Sequence, residues 1–284
     1  MSAKIIDGNA IGKAVREELR AEVADMKSRG IVPGLTVVLV GEDAASQVYV
    51  RMKGKAADEL GMKSDTIRLP PDTAEADLLA LVDRLNADPA VHGILALMPM
   101  AGGIDQKKVF NAITPVKDLD CVNPANIGHV LLGDQLFAPA TPSACIEILD
   151  REGVDLKGLD VTLVGRSNIV GKPLALLCLG RNATVRFVHT YCRDVPAACR
   201  EADVLISAAP VQNMIKADMV KPGAVVIDVT TIRVDGRQVG SLEFEAVCQV
   251  AGRVTPVPGG VGPVTNVMLL KNALVACKAQ TGVA

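Results

Sequence analysis

The segment Asp160-Val-Thr-Leu-Val-Gly165-Arg-Ser-Asn-Ile-Val-Gly171-Lys-Pro173 reads as an apolar strand, a turn opened by one glycine, and a helix opened near a second. Pro173 falls in the first turn of that helix, where a missing N–H is tolerated. Glycine lets a backbone approach a ligand closely, and a helix N-terminus offers N–H groups and the positive end of a dipole, so the layout suits phosphates. The spacing is not the Gly-x-Gly-x-x-Gly of the common dinucleotide fingerprint, and a plain strand-to-helix turn would read the same way. Arg166 stands where its guanidinium would fork onto a phosphate. In a dinucleotide site that favours the 2′-phosphorylated cofactor, whereas on a bare turn it is a solvated side chain.

Outward from this segment, strands are predicted near Val161–Val164, Thr184–Val188, Val204–Ser207 and Val225–Val229, separated by helix-length stretches. Upstream the pattern is a helix from Ile11 to Arg29, a strand Leu35–Val40, a helix from Ala45 to Leu60, a strand Lys63–Leu69, a helix from Thr73 to Asn86 and a strand Gly93–Leu97. Such alternation predicts an α/β fold, a parallel sheet covered by helices. Pro124 to Pro142 reads as the crossing between two α/β units, with a helix starting at Thr141-Pro142. A last helix, Gly262 to Ala279, follows the Gly- and Pro-rich run Pro256–Pro263 and returns to the first unit. The expected domains are residues 1–139, completed by the helix 264–284, and residues 140–263.

The 284 residues are 49% hydrophobic and 2% aromatic, with 30 Lys and Arg against 32 Asp and Glu. A formal charge of −2 and the absence of a basic run argue against nucleic acid as a partner, because phosphate neutralisation dominates that affinity. The first residues lack the apolar core of a signal peptide, and no apolar run is long enough to span a bilayer, so a cytoplasmic protein without a membrane partner is expected. Seven scattered cysteines without a Cys-x-x-Cys pair read as reduced core residues. Three isolated histidines, His92, His129 and His189, give no metal-ligand spacing, so no metal is expected. Ser46 and Ser167 lack the signature of a hydrolase triad.

Ser46, Tyr49 and Lys53 lie three and four residues apart, on one face of the predicted helix above the C-terminal edge of the strand ending at Val40. Ligands of open α/β sheets bind at that edge, and a lysine desolvated there has a lowered pKa. By pattern alone Lys53 is also readable as a surface helix lysine, as Lys55 is. Tyr-x-x-x-Lys occurs in short-chain dehydrogenases, but there the glycine loop precedes it; here the order is reversed.

Taken together, Ser46-Gln-Val-Tyr49-Val-Arg-Met-Lys53, Lys117-Asp-Leu-Asp120, Thr141-Pro142, Val164-Gly-Arg-Ser-Asn-Ile-Val-Gly-Lys-Pro173, Ala217–Val229 and Thr255-Pro-Val-Pro-Gly-Gly-Val-Gly-Pro263 resemble the FolD family of methylenetetrahydrofolate dehydrogenase/methenyltetrahydrofolate cyclohydrolases. The resemblance implies two α/β domains flanking a cleft, the C-terminal one a Rossmann-type NAD(P)-binding domain, and a homodimer formed through it. It implies oxidation of 5,10-methylenetetrahydrofolate with NADP, followed by hydrolysis to 10-formyltetrahydrofolate. Lys53 would be the catalytic lysine, Tyr49 would stack along the folate, and Asp120 would accept hydrogen bonds from the pterin. Ser46, Leu97 and Pro263 would complete the substrate site; Gly165, Arg166, Ser167, Gly171, His189 and Thr231 would hold the cofactor.

Several positions depart from the family pattern. Ala96-Leu97-Met98-Pro99 stands for Val-Gln-Leu-Pro, which puts a leucine where a glutamine partners the lysine and threatens the hydration step. Cys121 replaces a glycine, Pro210 a glycine, Thr230-Thr231-Ile232 a Gly-Ile-Asn, Ser241 an aspartate and Asn266 an apolar residue. His189-Thr190-Tyr191-Cys192 replaces His-Ser-Arg/Lys-Thr, which deletes a cation near the 2′-phosphate end and leaves NAD conceivable beside NADP. These changes raise two alternatives: a noncatalytic folate- or nucleotide-binding paralogue, and a dehydrogenase for another pterin-like substrate.

Overall fold

The computed structural model describes residues 2–283, save the side chains of Ala44, Ala45, Ser46, Val48, Tyr49 and Met52. In chain order the first elements are β1 (Lys4–Ile5), α1 (Gly8–Ser28), β2 (Gly34–Val40), α2 (Ala44–Leu60), β3 (Lys63–Leu69), α3 (Glu75–Ala87), β4 (Gly93–Ala96), α4 (Gln106–Ala112), α5 (Pro124–Leu132) and α6 (Ala140–Arg151). There follow β5 (Asp160–Val164), α7 (Gly171–Gly180), β6 (Thr184–Val188), α8 (Val195–Arg200), β7 (Val204–Ser207), β8 (Val225–Asp228), β9 (Ile232–Val234), β10 (Arg237–Val239), α9 (Phe244–Cys248), β11 (Arg253–Val254) and α10 (Val261–Thr281).

The chain divides into two compact units: Val15–Ala140 with the chain from Leu269 onward, and Thr141–Met268 with the chain up to Ala14. The break between Ala140 and Thr141 falls beside the expected one, but the residues up to Ala14 and residues 264–268 group with the other unit. For the first of these the reason is a long-range pairing: β1 pairs parallel with β11, Lys4 beside Arg253 and Ile5 beside Val254, so the first residues complete that unit's sheet. A two-residue strand carries no periodicity from which that pairing could be read.

The unit of Val15–Ala140 is built on a parallel sheet in the order β3-β2-β4. Its central strand β2, Gly-Leu-Thr-Val-Val-Leu-Val, is buried along its whole length, as a strand covered on both faces must be. Val38, Val40 and Ile94 pack with Leu78, Val82 and Leu85 of α3 into one core. A single parallel bridge from Ile94 to Asp118 carries the chain past the outer side of β4.

The other unit is a six-stranded sheet in the order β1-β11-β8-β7-β5-β6, parallel throughout. From β5 the chain steps outward to β6 and then returns to β7 on the other side. The order therefore reverses between β5 and β7, and a crevice for ligands is expected beyond their C-terminal ends at Val164 and Ser207. A separate hairpin, β9 with β10, follows β8. Between the two series, Pro124–Leu132 is helical where a plain crossing was expected. Asn123 caps it by accepting the N–H of Ala125 at 2.9 Å, and Pro124 occupies the first helical position.

Candidate active site

In the unit of Val15–Ala140, Lys53 is 1% exposed. On α2 it shares a face with Val50, Ala57 and Leu60, all buried, at spacings of three, four and three residues. A cation thus stands within the apolar stripe of an amphipathic helix. Lys55, two positions on, keeps 81% of its side chain exposed and lies 4.0 Å from Glu59. The reading of Lys53 as a surface lysine is overturned, and the signal that separates the two lysines was present in the spacing. Ser46 and Tyr49 belong to the same helix by backbone, and their side chains lie outside the described residues.

Burial lowers the Lys53 pKa to about 8, against the pull of Asp120, whose charge favours the protonated amine. Asp120 moves the other way, up to about 6, through burial and the neighbouring Asp118 carboxylate, opposed by Lys53. Neutral pH falls between the two titrations, about one unit from each. The pair is therefore poised to move a proton with little change in pH, a property of functional more often than of structural carboxylates and amines.

Asp120 is aimed by its neighbours. Lys117 Nζ donates to the carbonyls of Leu85, Asn86 and Asp88 at 3.1, 2.8 and 2.8 Å, closing the C-terminal end of α3. The buried Asp118 carboxylate accepts the backbone N–H of Asn123 at 2.8 Å and the Asn126 amide at 2.9 Å. Asn272 of α10 donates to Leu119 O and Ala138 O, both at 2.9 Å. Cys121 takes the left-handed conformation, φ +56°, which costs an L-residue roughly 1–2 kcal/mol. It is fully buried, with Sγ 3.7 Å from Phe137 O. Leu97 is buried just beyond β4, its N–H bonded to Val38 O at 2.9 Å, and its side chain brings no polar atom.

In the other unit, Gly165 follows β5 at φ +114°, and a Cβ there would lie 3.0 Å from Ala208 O. A Cβ on Gly171 would lie 2.5 Å from Gly165 O, so both glycines are required for the loop to fold against its own backbone. The N–H groups of Val170 and Gly171 reach Ser167 Oγ at 3.2 and 3.4 Å, and Lys172 N–H reaches Ser167 O at 3.0 Å. Those first-turn donors, expected to face a phosphate, are engaged by Ser167. The exposed loop 166–169 is what remains for an anion.

Gly165 N–H bonds Val188 O at 2.8 Å, which holds this loop beside the turn after β6. There His189 Nδ1 accepts the N–H of Tyr191 at 3.2 Å, and the Arg166 guanidinium carbon lies 6.0 Å from the Tyr191 ring centroid. Thr231 is exposed after β8, and Pro263 is half-buried in the first turn of α10, in this unit and not that of Lys53.

Both halves of the chain match models of a single family. Residues 6–120 match the tetrahydrofolate dehydrogenase/cyclohydrolase catalytic domain, and residues 139–281 its NAD(P)-binding domain. The chain belongs to the tetrahydrofolate dehydrogenase/cyclohydrolase family. It is 51% identical over 279 residues to the bifunctional protein FolD of Moorella thermoacetica, covering 98% of this chain and 100% of that one. The crystal structure of the bifunctional enzyme FolD from Campylobacter jejuni superposes with a TM-score of 0.96 at 40% identity, covering 98% of this chain and 99% of that one. The Trypanosoma brucei dehydrogenase-cyclohydrolase complexed with NADP cofactor and an inhibitor has a TM-score of 0.93 at 38% identity, covering 99% of each.

Several departures from the family pattern form one connected structure. The Asp228 carboxylate accepts N–H groups of Thr230, Ser241 and Leu242 at 2.9, 2.6 and 3.3 Å, and the Ser241 hydroxyl at 3.0 Å. Ser241 Oγ also meets Ser207 Oγ at 2.6 Å. Thr230 Oγ1 donates to Ala209 O at 3.2 Å, the residue before Pro210, and Val211 N–H returns to Ala209 O at 2.8 Å. Thr230 and Ser241 thus fit one another around a buried carboxylate, and Pro210 follows in the exposed turn whose Ala209 carbonyl Thr230 meets. Their clustering has a structural cause, and nothing in these relatives supports a noncatalytic paralogue or a different substrate.

Proposed function

We propose that this chain oxidises 5,10-methylenetetrahydrofolate with NADP and hydrates the resulting 5,10-methenyltetrahydrofolate to 10-formyltetrahydrofolate. The observation that carries the reading is the pair of buried Lys53 and half-buried Asp120, set about one pH unit either side of neutrality within the matched catalytic domain. In the first step a hydride leaves the N5–CH2–N10 carbon with both electrons of its C–H bond, and the cation left behind is shared by the two nitrogens. NADP, when bound, supplies the acceptor for that hydride. Asp120 as carboxylate takes a paired hydrogen bond from the 2-amino-4-oxopyrimidine edge, Tyr49 stacks along the folate, and Ser46 and Leu97 line its site. Orientation of two rings, more than a strong acid, is what this step needs.

In the second step water bonds to the bridge carbon and loses a proton to neutral Lys53. The carbon–N5 bond then breaks as N5 gains the hydroxyl proton, leaving a formyl group on N10 and one proton for solvent. Loop 166–169 fits the cofactor phosphates: it is exposed, held at the β5/β7 switch point, and carries Arg166. Gly165, Ser167 and Gly171 shape that loop, and His189, in the turn held beside it, and Thr231, exposed after β8, hold the cofactor with it. The resemblance also supports a homodimer joined through the NAD(P)-binding domain. Among the described residues no helix is long and apolar enough to cross a membrane.

Mixing the purified protein with methylenetetrahydrofolate and NADP should raise the methenyl absorbance, which then decays as water adds. No rise with either NADP or NAD rejects the reading.

A further inference from the structure

We infer that Tyr191 is a specificity-determining residue for the phosphorylated cofactor: its ring face holds the Arg166 guanidinium where the 2′-phosphate docks. The inference rests on the role given to Arg166 above and adds a residue with no assigned part in it.

Tyr191 is 83% exposed, so burial of its ring does not explain its position. Its backbone is fixed from two sides. Its own N–H goes to His189 Nδ1 at 3.2 Å, and the turn closes with Cys192 N–H on His189 O at 2.9 Å. The His189 ring meets the Tyr191 ring edge-on, centroids 6.1 Å apart at 67°. The ring is therefore held at the C-terminal end of β6, and the bond from Gly165 N–H to Val188 O brings Arg166 alongside it.

A guanidinium about 6 Å from an aromatic centroid is attracted by the ring's quadrupole. The interaction leaves the charge intact and the fork of N–H donors open, because the ring takes the flat face of the cation and a phosphate takes its edge. An exposed arginine that is already held loses less rotamer freedom when the phosphate arrives. Lys172, the other cation of this loop, is bonded to Asn168 Oδ1 at 2.7 Å. An aromatic face at position 191 thus serves the recognition that a second cation would serve, by orienting the first. Arg193, two residues further on, is the competing source of charge.

Steady-state constants for NADP and NAD, with cofactor affinity by calorimetry, test this directly. Arg166→Ala should lower kcat/KM for NADP roughly 10- to 100-fold more than for NAD. Tyr191→Leu should raise the KM and Kd for NADP about three- to fivefold at unchanged kcat, without effect on NAD; Tyr191→Phe should restore the wild-type values. In an Arg166→Ala background, Tyr191→Leu should add nothing. The inference is overturned if Tyr191→Leu affects both cofactors equally or neither, if Tyr191→Phe behaves like Tyr191→Leu, or if Arg193→Ala costs more NADP preference than Arg166→Ala. If wild-type protein turns over neither cofactor with methylenetetrahydrofolate, the proposed function fails, and calorimetry still decides the part of Tyr191.

Discussion

Lys53 and Asp120 place opposite charges on a buried helix face and the loop beside it, whereas Arg166 and Tyr191 stand in solvent on loops after two strands. The difference follows from what each region must do. A group that moves protons at neutral pH needs a pKa far from its value in water, and desolvation supplies that shift. A group that recognises a phosphate needs a permanent charge and a fixed direction, and arginine retains its charge even when exposed. Burial in one unit and orientation in the other are two solutions to two demands within one chain.

The contrast breaks most visibly at Lys53. Lys53→Ala should lower the hydration of methenyltetrahydrofolate by about a thousandfold, within the range of general-base contributions, while NADP affinity stays unchanged. Retained hydration would make the buried amine a structural residue. A second test separates fold from chemistry. Asp228→Ala leaves the N–H groups of Thr230, Ser241 and Leu242 without their acceptor, so stability in urea should fall by about 3 kcal/mol or more. The Lys53–Asp120 titrations, in the other unit, should not move. The smallest effect sharpens the account of Leu97. Leu97→Gln adds a hydrogen-bonding group beside β4 and should raise hydration up to about tenfold with little change in dehydrogenation. Unchanged hydration would show that the leucine is not what limits that step.

Much of the fold was legible. Lys63–Leu69, Thr184–Val188 and Val204–Ser207 coincide with the predicted strands; Val204–Ser207 is buried throughout, as an apolar run in a covered parallel sheet must be, whereas the other two are edge strands with polar and partly exposed positions. Strands β1 and β11, two residues each, have no period to detect, and their pairing joins residues about 250 positions apart. Helix α5 lies in the stretch Pro124 to Pro142 that reads as a crossing, although Asn123-Pro124 is also a helix-start signal. At the site, the spacing of Val50, Lys53, Ala57 and Leu60 already placed the lysine on the apolar stripe. The engagement of the α7 donors by Ser167 and the network joining Thr230, Ser241 and Asp228 depend on tertiary approach, which local pattern does not carry. Arg166 was singled out from the sequence, but its aromatic partner required β5 and β6 to be seen side by side.

The most direct test is to follow both activities of the same preparation from pH 5 to 9.5. Raising pH frees the Lys53 amine, so hydration should climb about tenfold per unit and level off near pH 8; dehydrogenation, which needs Asp120 as carboxylate, should instead fall away below pH 6. Two separate inflections support a buried amine and a half-buried carboxylate with distinct tasks. A single shared inflection, or flat profiles between pH 6 and 9, would contradict it.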